Sequence, residues 1–86
     1  MHDIILLNKI TEEVELLSKT NHFNKVNNLL ICLNPISHVN EDNLYDYLHH
    51  ANKKLFGLWT KIRIERDDIP DQVAILKSIE GEKSTK

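Results

Sequence analysis

The stretch EDNLYDYLHHANKKLFGLWTKIRIER, residues 41–66, has the most regular apolar spacing in the chain. Leu44, Leu48, Ala51, Leu55, Leu58 and Ile62 recur at intervals of 4, 3, 4, 3 and 4. That is the repeat of one helix face. A helix over 41–66 would be roughly 38 Å long at 1.5 Å per residue. Asn40 stands ready as its N-cap, and Glu41 and Asp42 place negative charge on the first turn, where the helix dipole favours it. Gly57 lies inside and costs about 1 kcal/mol relative to Ala, marking a kink or a close helix contact. At the far end Lys61, Ile62, Arg63, Ile64 and Glu65 alternate as a strand would. A lone strand has no partner elsewhere in a helical chain, so these residues are assigned to the helix end.

Working outward, Leu7, Ile10, Val14 and Leu17 form a second helical face at spacings of 3, 4 and 3. Lys9, Thr11, Glu12, Glu13 and Glu15 lie between them as a solvated side. Phe23, Val26, Leu30 and Leu33 repeat the same spacing after a polar break, although Asn24, Asn27 and Asn28 are weak helix formers. Asn34 before Pro35 ends that segment, because a residue preceding proline is pushed out of the α region. Pro70 suits a first helical position, with Val73, Leu76 and Ile79 as a short fourth face and Gly81 as its stop.

These patterns predict an all-α, antiparallel four-helix bundle. The helices fall at about 3–19, 21–34, 41–66 and 70–80 in one domain, 1–81, followed by a flexible tail, 82–86. The 86 residues allow one small domain and no more. Two Gly, two Pro and one Cys exclude collagen, low-complexity and disulfide-scaffold classes. The longest apolar run is 29–33, where a membrane span needs about 20 residues. Met1, His2, Asp3 and Ile4 carry no basic, apolar leader, so a cytoplasmic protein is expected.

Chemistry-bearing constellations are sparse. His49 and His50 are adjacent and diverge by about 100° on a helix, so they cannot chelate one ion together. Asp46 and His50 share a face, but two ligands without a third make a poor metal site. Cys32 sits within apolar neighbours and reads as a buried, inert thiol. No Gly-rich phosphate loop and no nucleophile elbow is present. The reading is therefore no enzyme, no cofactor and no metal. The stretch 53–66 interleaves Lys53, Lys54, Lys61, Arg63 and Arg66 with Phe56 and Trp59. A net charge of -2 weighs against a nucleic-acid partner and leaves protein docking at a membrane surface as the better reading.

The segments Asn43, Leu44, Tyr45, Asp46, Tyr47, Leu48, then 60–64, then Asp68, Ile69, Pro70 through Ile79, Glu80 and Gly81 resemble the C-terminal half of the enterocin A immunity family. These are the immunity proteins for pediocin-like bacteriocins. The resemblance covers roughly residues 43–81 and implies a cytosolic, non-enzymatic four-helix bundle. It implies self-protection of a bacteriocin producer, exerted from inside the cell on the bacteriocin-bound mannose phosphotransferase permease. There would be no membrane span, only peripheral contact at the inner face of the membrane. Carried over to this sequence, the partner-binding residues would be Lys53, Trp59, Lys61, Arg63, Arg66, Lys77 and Lys83. Lys61 and Arg66 lie on the polar side of the helical stripe, so reversing both charges should abolish function without loss of stability. The alternatives are a small adaptor or chaperone that grips a partner's amphipathic helix in a groove, and a small nucleic-acid-binding regulator.

Overall fold

The apolar run 29–33 lies not in a helix but in the middle strand of a sheet. The computed structural model describes residues 3–83, in the order α1 (Asp3–Thr20), β1 (Phe23–Leu33), α2 (Glu41–Ala51), β2 (Lys61–Arg66) and β3 (Ala74–Lys83). The three strands form one mixed sheet in the order β2-β1-β3. β2 runs parallel to β1, with Leu29 opposite Ile62 and Ile31 opposite Ile64. β3 runs antiparallel to β1 on its other side. A parallel pair needs a crossover connection, and residues 34–60, including α2, supply it. Residues 67–73 then return the chain past the end of β1.

Both helices cover the same face of the sheet. α1 lies against β1 and β3, and α2 against β2. The core between the layers holds Leu6, Ile10 and Val14 of α1, Val26, Leu29, Ile31 and Leu33 of β1, and Leu44 and Leu48 of α2. Ile62, Ile64, Leu76 and Ile79 pack on its margin from the two edge strands.

The expected all-α four-helix bundle is thus replaced by an α/β fold. The first helix stands where the spacing put it. The expected helix over 21–34 is β1. The expected helix over 41–66 stops at Ala51, and its last 6 residues are β2. The expected helix over 70–80 is a turn followed by β3, whose end takes in Glu82 and Lys83 of the expected tail. The rest of that tail, 84–86, lies outside the described residues.

Each misreading has a local cause. After Ala51 the Asn52 side chain accepts from the N–H of Lys54 (3.2 Å) and of Leu55 (3.1 Å). An Asn that offers its own acceptor competes with the helical ladder. The following residues turn inward instead: Leu55 is 6 % exposed and Phe56 fully buried, while Leu58, a supposed stripe residue, is 98 % exposed. This connection is fastened to β1 by the Val26 N–H donating to the Leu55 carbonyl (2.9 Å) and the Thr60 hydroxyl to the Val26 carbonyl (2.7 Å).

The helical spacing of the strands comes from register irregularities. Between Val26 and Asn28, and between Leu30 and Ile31, the pairing of β1 with β3 shifts by a residue. An extra residue on a strand restarts its alternation. Val26 and Leu29, three apart, therefore both face the helices. So do Leu76 and Ile79, because Lys77 is the extra residue opposite the second shift. Gly81, expected as a helix stop, lies mid-strand, where a Cβ would meet the Lys25 carbonyl and come within 2.9 Å of the Phe23 ring.

Three features read from sequence hold. Asn40 caps α2 in a reciprocal pair, accepting from Asn43 N–H while Asn43 accepts from its own, both at 2.9 Å. The chain breaks at Pro35, and Cys32 is buried. His22, in the turn from α1 to β1, adopts φ 60.

Two stability outcomes follow from this packing. Phe56→Ala should cost about 3–5 kcal/mol as a core truncation, whereas Leu58→Ala should stay within about 0.5 kcal/mol. Urea midpoints would give the ranking, and equal losses would restore the helical register. His22→Gly should raise stability by about 1 kcal/mol by relieving a left-handed backbone; a lower midpoint would mean the His22 side chain stabilises the turn by more than its strain.

Candidate functional site

One face of the sheet is left uncovered by the helices. On β2 the inward Ile62 and Ile64 alternate with exposed Lys61, Arg63 and Glu65, which stand on that open face. β1 contributes Asn28, Leu30 and Cys32 there, and β3 contributes Ile75, Lys77, Ser78 and Glu80. The alternation of a strand with one face buried dictates this division.

Two cross-strand contacts organise the face. Lys77 on one edge strand pairs with Glu65 on the other at 3.2 Å, spanning β1 at the level of Cys32. The Asn28 amide donates to Glu80 at 3.1 Å. The hydrogen bond to the Glu65 carboxylate, followed by its charge, holds the Lys77 ammonium above its ordinary 10.5. Both side chains are about half exposed, so solvent screens the pair and its worth to stability is small. Lys61 and Arg63 are the exposed cations of β2 on this side. At the β1 entry end, the Lys25 ammonium sits 4.9 Å from the centroid of the Trp59 ring. The Trp59 indole N–H donates to the Leu55 carbonyl at 3.2 Å, which fixes the ring over Gly57.

The layers differ in charge. The helices carry Glu12, Glu13, Glu15, Glu41, Asp42 and Asp46 against Lys9 and Lys19. The strands carry Lys25, Lys61, Arg63, Arg66, Lys77 and Lys83 against Glu65, Glu80 and Glu82. Arg66 and Lys83 do not stand on the open face, which carries Lys61, Arg63 and Lys77 against Glu65 and Glu80: it is weakly basic where the helix side is acidic, a distribution that the net charge of -2 conceals.

Of the residues expected to bind a partner, the structure gathers Lys61, Arg63 and Lys77 on one face, with Trp59 at its end. It does not join Lys53 to them: Lys53 projects from the turn after α2. Lys83 lies at the end of β3 opposite Phe23, away from that group. Arg66 has a different task. Its guanidinium donates to the carbonyls of Asn34 (3.1 Å), Ser37 (3.2 Å) and Val39 (2.7 Å), clasping the loop between β1 and α2. The expectation that its charge could be reversed without loss of stability does not fit those bonds. Sequence reading missed Lys25, Asn28, Glu65 and Glu80. The alternation of residues 61–65 was the signal for Glu65.

His49 and His50 serve local structure. His49 stacks on Tyr45 at 5.5 Å and its Nδ1 lies 2.8 Å from the Phe56 carbonyl. His50 Nδ1 lies 2.8 Å from the Asp46 carbonyl. Among the described residues no group of three or more His, Cys, Asp or Glu is placed to hold a metal ion. Among them, too, no helix is long and apolar enough to cross a membrane.

A groove of about 490 Å³ runs between α1 and the edge strand β3, with Ile10, Val14 and Leu76 at its base and Glu12, Glu13 and Leu16 on its rim. No protein-family model matches this sequence, and no curated protein matches it either.

Arg66→Ala should cost about 1–2 kcal/mol, since hydrogen bonds from a charged donor are lost at a partly exposed site. Lys61→Ala should leave the unfolding midpoint unchanged; equal effects would remove the distinction between clasp and surface cation. Glu65→Gln should return Lys77 toward its ordinary value, read from lysine side-chain carbon shifts on alkaline titration. Because the folded value is raised, the pair's stabilisation is fully present below 10.5 and is lost as pH rises through the raised value. An unmoved Lys77 titration would mean that the pair does not persist in solution.

Proposed function

We propose that this chain is a non-catalytic binding domain that docks onto an acidic surface segment of a protein partner through the open face of its sheet. The observation that carries the reading is the presentation of Lys61, Arg63 and Lys77 together on the open face, opposite an acidic helix layer. Complementary charge steers such an encounter and sets its orientation. Trp59, held beside this face with Lys25 over its ring, offers an aromatic anchor of the kind enriched at protein interfaces. Glu65 and Glu80 interrupt the basic field. A phosphate backbone presents one sign throughout, so a mixed face suits a protein surface better than a nucleic acid.

The bacteriocin-immunity role and its permease partner came with a four-helix bundle, and the α/β architecture withdraws that support. What carries over is docking through cations of the C-terminal half. Titrating the labelled protein with a Glu-rich peptide should shift the amides of Lys61, Arg63 and Lys77 and weaken steeply with salt. Lys61→Glu with Arg63→Glu should lower the affinity by about tenfold or more without changing the melting temperature. Shifts confined to the helices, or tighter binding to a single-stranded oligonucleotide than to the peptide, would overturn the reading.

A further inference from the structure

We infer that the end of the molecule where β1 and β2 begin docks on the surface of an anionic lipid bilayer, with Leu58 and Trp59 entering the headgroup region and lysines meeting the lipid charge. The 42 Å long axis runs along β1, since eleven extended residues span about 36 Å. The strand register sorts the charges along that axis. Asn28 stands opposite Lys61 and Phe23 opposite Lys83, and the Val26 N–H donates to the Leu55 carbonyl. The starts of β1 and β2, the close of β3 and the connection 52–60 therefore share one end. α1 finishes there too, because only residues 21 and 22 separate it from β1. This end carries Lys19, Lys25, Lys53, Lys54, Lys61 and Lys83 against Glu15, Glu80 and Glu82. The opposite end carries Glu41, Asp42, Asp67, Asp68 and Asp71 against Arg66. A chain of net charge -2 is thus polarised lengthwise, and a negative plane attracts it by one end.

The apolar part of the surface is at the same end. A single exposed leucine is ordinary, but Leu58 is 98 % exposed beside a Trp59 that is 40 % exposed. Leu55 and Phe56 anchor the connection in the core, so Leu58 projects from a fixed base. No acid occurs between Asp46 and Glu65, while Lys53, Lys54 and Lys61 do. An amphipathic ring at the level of the headgroups and lysines beside it are the features that hold a peripheral surface on anionic lipid. Lysine stems lie along apolar surface while their ammonium groups reach phosphate. Lys25 and Gly57 both lie against the Trp59 ring, which makes it a poor platform for stacking a nucleic-acid base. A bilayer surface requires no matching shape, only charge and a protruding apolar tip. Trp59, Lys25 and Lys61 also border the face proposed to dock an acidic segment. Lys19, Lys53, Lys54 and Leu58 belong to this end alone, and the lipid inference does not rest on the docking reading.

Trp59 is the one tryptophan of the chain, so its fluorescence reports on this end directly. The full chain should sediment with vesicles of equal parts phosphatidylglycerol and phosphatidylcholine at low salt, and not with phosphatidylcholine alone. Its Trp59 emission should shift to the blue on binding and return as salt is added. Lys53→Glu with Lys54→Glu should weaken vesicle binding about tenfold or more. Leu58→Ser should weaken it about tenfold, since a leucine is no longer buried in the headgroup region. Both variants alter exposed side chains, circular dichroism checks that they stay folded, and titration with the Glu-rich peptide should be unchanged in each. No sedimentation with the phosphatidylglycerol vesicles at low salt overturns the inference. So does equal binding to the neutral vesicles, or sedimentation that leaves Trp59 emission unmoved and is indifferent to Leu58→Ser.

Discussion

Strand β1 must satisfy its backbone on both edges while burying one of its faces, and the positions of the other elements follow from that. A buried N–H or C=O without a partner costs about as much as a lost hydrogen bond. The run 29–33 is too apolar to stay exposed, so β1 needs a strand on each side and a layer above it. β2 supplies one edge in parallel, which forces the long connection over residues 34–60. β3 supplies the other edge in antiparallel. The helices then close over Leu29, Ile31 and Leu33.

The connection between β1 and β2 is also part of the core. Leu55 and Phe56 enter from it, tied to Val26 through backbone and hydroxyl hydrogen bonds. In a chain of this size the core is thin, since a small domain buries only about 60 % of its unfolded surface. Loop residues therefore do work that a larger protein would leave to regular elements. Arg66 acts in the same sense: by holding three carbonyls of the preceding loop it fixes the end of β2 against the start of the crossover.

Covering the sheet on one side only has an electrostatic consequence. The acids of both helices point away from the core on one side of the molecule, and Lys61, Arg63 and Lys77 stand on the other beside Glu65 and Glu80. In a linear reading the cations at 53–66 form one basic helix. In the fold they scatter: Lys61 and Arg63 stay together because they are two apart on a strand, Lys77 joins them from the far edge, and Lys53 and Arg66 leave the group.

The sequence alone determined α1, whose apolar stripe has no competing pattern, the Asn40 N-cap of α2, the break at Pro35 and the burial of Cys32. These depend on residues close together in the chain. Only the tertiary structure decided whether residues 23–33, 61–66 and 74–83 are helix or strand. In 23–33 and 74–83 apolar residues fall three apart where an extra residue restarts the alternation of a strand, and that spacing is the same as one step along a helix face. The short alternation of residues 61–65 was visible, but a strand is stable only with a partner, and its partner lies more than thirty residues away, at 28–33. Pairing across that distance belongs to the fold as a whole, so no local window of sequence contains it.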